Sequence, residues 1–274
     1  MRAGMNHLLA VRKLTKRYRR GGGILSESQR GSDFTAVDEV SFEVAAGETF
    51  AIVGESGCGK TTLARMLLRL IEPDAGEILF EGKNILQLSA EGMRAERRQM
   101  QMIFQDPFAS LNPRMKVGEI VGEPLAIHGR EVGKQERTTR VAEALRRVGM
   151  DEGAVQRYPH EFSGGQRQRI GIARALILRP KLIVADEPVS ALDVSVGAQV
   201  LLLLQELQQE LGLTYIFISH SLPVVAQLAT HIAVMRAGRF VECGAAEQIL
   251  QHPRVAYTKE LLAAVPEIPA PASN

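Results

Sequence analysis

Eight consecutive residues, Gly54-Glu55-Ser56-Gly57-Cys58-Gly59-Lys60-Thr61, fit the spacing G-x-x-x-x-G-K-[ST], with Thr62 beside them. Glycines at these intervals let successive backbone N–H groups converge on one anion, and a following helix adds the positive end of its dipole. Lys60 supplies a point charge for β- and γ-phosphates, and the Thr61 hydroxyl is a ligand for Mg²⁺. A second chemical segment is Leu182-Ile183-Val184-Ala185-Asp186-Glu187, four apolar residues that end in two acids. A buried strand that delivers carboxylates at its C-terminal end is where an open α/β sheet carries out ligand chemistry. Asp186 is read as a Mg²⁺ ligand, directly or through water, and Glu187 as the base that deprotonates an attacking water. A third segment, Phe162-Ser163-Gly164-Gly165-Gln166, is a further glycine-rich anion binder at the head of a helix. One cradle already serves one phosphate chain, so a second implies another surface that meets the same phosphates.

These residues need strands and helices to hold them. Thr49–Val53 reads as a short apolar strand running into the glycine loop, and Thr61–Leu70 as the helix after it. Leu8–Arg12 and Ser41–Val44 alternate as strands around the glycine-rich and polar stretch 21–33, read as a mobile loop or hairpin tip. Further buried strands are expected at Met102–Phe104, Leu182–Ala185 and Thr214–Ile218. Ile232–Met235 and Arg239–Glu242 flank Ala237-Gly238 as a hairpin. Between Phe108 and Pro180 the texture is mostly helical. Val141, Ala144, Leu145 and Val148 fall at i, i+3, i+4 and i+7, with Gly149 as the stop. Val196–Leu211 reads as a helix ended by Gly212, and the proline-rich tail Pro266–Asn274 as unstructured or extended. No internal repeat is found. Strands alternating with helices, with a helical block inserted between Phe108 and about Ile177, give an α/β organisation.

Composition narrows the functions. The chain has 274 residues, 45% hydrophobic, with 33 Lys plus Arg against 31 Asp plus Glu, a formal charge of +2. That balance argues against binding a polyanion by bulk charge. Two cysteines cannot build a disulfide framework or a four-cysteine metal site. Cys58 reads as a small residue in a tight loop, with a reactive thiolate at the helix N-terminus as the alternative; Cys243 reads as buried packing. No apolar run reaches the length of a membrane span, and Met1–His7 lack the apolar run of a secretory signal. Any membrane role is expected to run through a partner. His7, His128, His160, His231 and His252 show no metal-ligand spacing.

In these motifs and their order the chain resembles the ATP-binding subunits of ABC transporters, over about Leu8 to Pro266. The glycine loop, Gln105, Phe162–Gln166, Asp186-Glu187, Ser190-Ala191-Leu192-Asp193 and His220 occur at the family's spacings. Phe162 stands where the commonest signature has leucine, and Ser221 where aspartate often follows the histidine; Ser221 is expected to serve instead as a helix N-cap. The resemblance implies an α/β fold, a P-loop NTPase (RecA-like) core with an N-terminal antiparallel β subdomain and an inserted α-helical subdomain at about 108–177, in an ABC-type ATPase domain at 7–256 followed by a C-terminal extension at 257–274. It implies ATP and Mg²⁺ as cofactors. It implies that Tyr18 stacks on adenine and that Gln105 touches Mg²⁺ or the attacking water. His220 would contact the γ-phosphate. Ser163, Gly164, Gly165 and Gln166 would bind ATP held by a second subunit, with Asp193 at the dimer seam.

Phe104–Arg114, Tyr158–Gln168, Ala185–Val196 and His252–Pro266 are similar to the peptide and nickel importer branch of the family. That branch implies a second ATPase subunit, a different paralogue or a self-dimer, beneath two permeases fed by an extracytoplasmic binding protein. It implies a peripheral place on the cytoplasmic face of the inner membrane and no nucleic-acid partner. Dipeptides or oligopeptides are the first reading of the cargo, with nickel, glutathione or another small solute as alternatives. A soluble ABC ATPase without a transport role is the alternative of another class. It is disfavoured because the chain has one copy of each motif and no heptad run.

Overall fold

The computed structural model describes residues 7–18, 34–106, 108–128 and 133–263. The expected loop at 21–33 and the tail Pro266–Asn274 lie outside them. In chain order the elements are β1 (His7–Tyr18), β2 (Phe34–Ala45), β3 (Thr49–Val53), α1 (Lys60–Leu67), β4 (Ala75–Phe80), β5 (Lys83–Asn84), α2 (Ala90–Glu96) and β6 (Met100–Ile103). They continue with α3 (Val117–His128), α4 (Lys134–Arg147), α5 (Gly164–Leu176), β7 (Leu182–Asp186), α6 (Val194–Leu211), β8 (Thr214–Ser219) and α7 (Leu222–Ala226). The last four are β9 (His231–Arg236), β10 (Arg239–Ala245), α8 (Ala246–Gln251) and α9 (Ala256–Ala263). The chain divides into two compact units, one formed up to Gln87 and again from Ser219, the other from Leu88 to Ile218.

The first unit carries an antiparallel sheet in the order β2-β1-β4-β5 and a second group in the order β10-β9-β3. Strand β3 runs parallel to β9, and β9 pairs antiparallel with β10 through the Ala237-Gly238 turn, both residues at positive φ. Phe42 of β2 stacks on Phe50 of β3 at 4.7 Å, and Phe240 of β10 closes the cluster. All five residues of β3 are buried, as a strand covered on both faces requires. Helix α1 turns Leu63, Ala64, Met66 and Leu67 into the core.

The second unit lays β6, β7 and β8 parallel, with β7 in the middle and wholly buried. Helices α3, α4 and α5 pack on one another. Val141, Ala144 and Leu145 of α4 are buried with Val148 beyond them, and Gly149 takes φ 75° where the helix stops. Helix α6 ends at Gly212 with φ 63°, whose N–H bonds the Gln208 carbonyl.

Some expectations are corrected. Strand β6 ends one residue early, so Phe104 leaves the sheet with 39% of its surface open. Helix α6 starts at Val194, two residues before the expected Val196, because the Asp193 carboxylate accepts the Val196 N–H at 3.0 Å and caps an earlier start. Ser221 precedes α7, but its side chain makes no cap hydrogen bond. The Ser219 hydroxyl, two residues earlier, accepts the N–H of Ser221 itself at 2.9 Å. Cys243 is exposed, because it falls on an outward position of β10, an end strand of its group.

Candidate functional site

In the first unit the chain leaves β3 and turns through Gly54–Gly59 into α1. Gly54, Gly57 and Gly59 take φ of 156°, 80° and 112°. Two of them could not carry a side chain. A Cβ on Gly54 would lie 2.2 Å from the Met235 carbonyl oxygen of β9, and one on Gly59 2.0 Å from the Ala36 carbonyl of β2. Two strands therefore close on the loop from behind, while Glu55, Ser56 and Gly57 stay exposed. Lys60, 4% exposed, opens α1, and its Nζ donates to the carbonyls of Gly54 at 2.7 Å and Glu55 at 2.9 Å. A cation tied into a loop of exposed amides at the head of a helix suits a phosphate chain.

Burial pushes the Cys58 thiol up, outweighing the pull of Lys60 beside it. The thiolate alternative is therefore disfavoured, and the small-residue reading stands. Thr61 and Thr62 follow on the first turn of α1, half-buried. Tyr18 ends β1 with 39% of its surface open and the Lys16 ammonium 5.7 Å from its ring centre. His220 follows β8 and is exposed.

In the second unit the acids stand where β7 ends. Asp186, 2% exposed, is its last residue. Glu187 turns out of the strand with φ 47°, and its N–H bonds the Ile218 carbonyl at 3.0 Å. Gln105, just beyond β6, donates from Nε2 to Glu187 Oε2 at 3.1 Å. Two residues 82 apart in sequence are thus brought together at the ends of adjacent parallel strands. The buried Asp186 carboxylate is an oxygen donor of the kind a hard cation like Mg²⁺ takes, and the Thr61 hydroxyl of the first unit is another of that kind.

Ser163 caps α5. Its hydroxyl accepts the Gln166 N–H at 3.4 Å, and the Gln166 side-chain oxygen accepts the Ser163 N–H at 3.0 Å. The cap leaves Ser163 exposed. Gly165 is needed for packing, since a Cβ there would lie 2.2 Å from Val196 Cγ1 on α6; Gly164 has more room. Asp193 is both the α6 cap and the last residue of Ser190-Ala191-Leu192-Asp193.

One neighbour of the glycine loop escaped sequence reasoning. The Tyr257 hydroxyl on α9 accepts the backbone N–H of Glu55 at 3.4 Å. Tyr257 stands in a segment that marks the importer branch, but nothing in its spacing points to a residue 202 positions away.

A family model described as ABC transporter matches residues 37–190. The chain belongs to the ABC transporter family. It is 53% identical over 260 residues to a peptide import ATP-binding protein of Brucella ovis, covering 94% of this chain and 78% of that protein. It is 53% identical over 232 residues to the oligopeptide transport ATP-binding protein OppF of Bacillus subtilis, covering 84% and 76%. Against the glutathione import ATP-binding protein GsiA of Escherichia coli O157:H7 it is 50% identical over 259 residues, which is 94% of this chain but 41% of that one. A solved ATP-binding cassette, a dimer in a post-hydrolysis state bound to ADP and Pi, superposes with a TM-score of 0.76. Its identity is 28%, over 87% of this chain and 98% of that one. The ABC family and this neighbour make the chain a nucleotide-binding ATPase. Among the described residues no helix is long and apolar enough to cross a membrane.

Proposed function

We propose that this chain is the ATP-hydrolysing motor of an importer and that its cargo is a dipeptide or oligopeptide. The observation that carries hydrolysis is the Glu187 carboxylate held by Gln105 at 3.1 Å where the buried strand β7 ends. In this reading the Gly54–Thr62 loop binds the triphosphate, with Lys60, held by its two loop carbonyls, offering its ammonium to the β- and γ-phosphates. Thr61, Asp186 and Gln105 would hold Mg²⁺, which when bound neutralises charge on the phosphates. Glu187 takes a proton from the attacking water, Gln105 fixes the carboxylate that does so, and His220 contacts the γ-phosphate. Tyr18 offers its open ring to adenine.

Ser163, Gly164, Gly165, Gln166 and Asp193 would close on ATP held by a second copy or a paralogue. The cassette neighbour solved as a dimer supports that arrangement. Membrane permeases would be the partners that turn hydrolysis into movement, with an extracytoplasmic binding protein delivering cargo to them. The chain itself would sit at the inner face of the membrane. Relatives named for peptide import, matched across 94% of this chain, support the cargo. A glutathione cargo is the second reading, favoured by the GsiA relative.

The test uses the complex purified from membranes through a tagged copy of this chain. Lys60→Ala is expected to weaken ATP binding by about ten- to a hundred-fold, the loss of a charged hydrogen bond to phosphate. Purification with permeases, and ATPase activity stimulated by peptide-loaded binding protein, supports import. Co-purification with ribosomes and not with membranes contradicts it, as does unchanged ATPase activity in Lys60→Ala.

A further inference from the structure

The Gly54–Glu55 peptide unit is held at both ends. Its carbonyl accepts from Lys60 Nζ at 2.7 Å, and its N–H donates to the Tyr257 hydroxyl at 3.4 Å. Because a peptide unit is planar, fixing its N–H also fixes the direction of its C=O. Tyr257 thus reaches, through one rigid plane, the atom that holds the Lys60 ammonium.

Tyr257 is itself well anchored. It is 4% exposed, and the Arg236 guanidinium lies 4.5 Å from its ring centre. Arg236 ends β9 directly after Met235, whose carbonyl backs Gly54. The head of α9 is fixed by Glu242 of β10, whose carboxylate accepts the N–H groups of Arg254 at 2.8 Å and Val255 at 3.2 Å. Burial also raises the Tyr257 phenol above its ordinary range.

We propose that Tyr257 is a positioning residue for ATP binding, which orients the Gly54–Glu55 peptide and through it Lys60, so that α9 sets the affinity of the phosphate loop. The proposal rests on the Gly54–Thr61 loop being the ATP site. It predicts a split: nucleotide affinity depends on Tyr257, while the chemical step, which rests on Glu187 and Gln105, does not.

The test is Tyr257→Phe, which deletes the hydroxyl and keeps the ring against Arg236. The full membrane complex is assayed for ATP turnover, and Kd is measured with a fluorescent ATP analogue. Expected is a rise of about five-fold in both Kd and KM, the size a neutral hydrogen bond supplies, with kcat unchanged and the melting temperature lowered by no more than about 4 °C. Wild-type Kd and KM would overturn the proposal, as would a fall in kcat at constant KM. If Tyr257→Phe folds poorly, Glu242→Gln loosens the head of α9 without touching the loop. A raised KM at constant kcat then supports the proposal, and an unchanged KM overturns it. Lys60→Ala is run beside them. If it too binds the analogue normally, the ATP-site reading fails; if it alone loses binding, only the Tyr257 inference fails.

Discussion

At the residue scale, Gly59 and Gly165 are glycines for different reasons. Gly59 needs both its φ of 112° and the space taken by the Ala36 carbonyl, so Gly59→Ala cannot keep the loop closed. ATP binding should be lost in that variant, which equilibrium titration with a nucleotide checks. Gly165 lies in ordinary helix and fails only on contact with the stiff Val196 side chain. Gly165→Ala should destabilise the protein by about 1–3 kcal/mol through overpacking, measurable by urea denaturation. Ser163 separates cap from ligand. Glycine is nearly as good a cap as serine, within a few tenths of a kcal/mol. Ser163→Gly should therefore melt like wild type, yet lose turnover if the hydroxyl serves a nucleotide held by a second subunit. Retained turnover in a stable variant would confine Ser163 to capping. The glycine loop and the Asp186-Glu187 pair were legible because each is a local run of residues. Tyr257 was not, because its contact spans 202 positions and leaves no local period.

At the scale of elements, legibility followed regularity. Strand β3 and helices α4 and α6 were readable because an apolar run or a 3.6-residue period coincided with glycine stops. Strands β1 and β2 run well beyond the readable stretches. Lys13 and Glu39 adopt positive φ, and the β1–β2 register shifts around Leu14, so bulges break the alternation. Strand β4 went unread because Ala75-Gly76-Glu77 opens it exposed, leaving three residues of pattern. The α7 cap was misread because the Ser221 side chain makes no cap bond, and the Ser219 hydroxyl accepts the N–H of Ser221 itself, not a first-turn amide of the helix. The head of α9 gives a pH prediction. Burial pushes the Glu242 carboxyl up, but the N–H groups of Arg254 and Val255 and the nearby Arg254 charge outweigh it and leave it below its ordinary 4.5. A carboxyl lowered by folding stabilises the protein above its unfolded value and loses that contribution as pH falls through the folded one. Wild type should therefore melt higher than Glu242→Gln at pH 6, with the gap closing below pH 4.5. A gap that stays constant in thermal melts from pH 6 to 3 would contradict this.

At the scale of the whole molecule, the family was legible because motifs scattered from Gly54 to His220 fall in one order, which no single match supplies. The cargo was not, because the motifs concern the nucleotide, and selection by permeases and a binding protein would leave no trace in them. What the chain does carry is a way to bind ATP and to break it, and the two separate in one variant. Glu187→Gln keeps the shape and the contact with Gln105 but removes the proposed base, for an expected loss of about 10²- to 10⁴-fold in turnover. The purified membrane complex carrying that substitution, given radiolabelled ATP, should retain uncleaved nucleotide under conditions where the wild-type complex releases phosphate. Phosphate release at the wild-type rate would contradict the account.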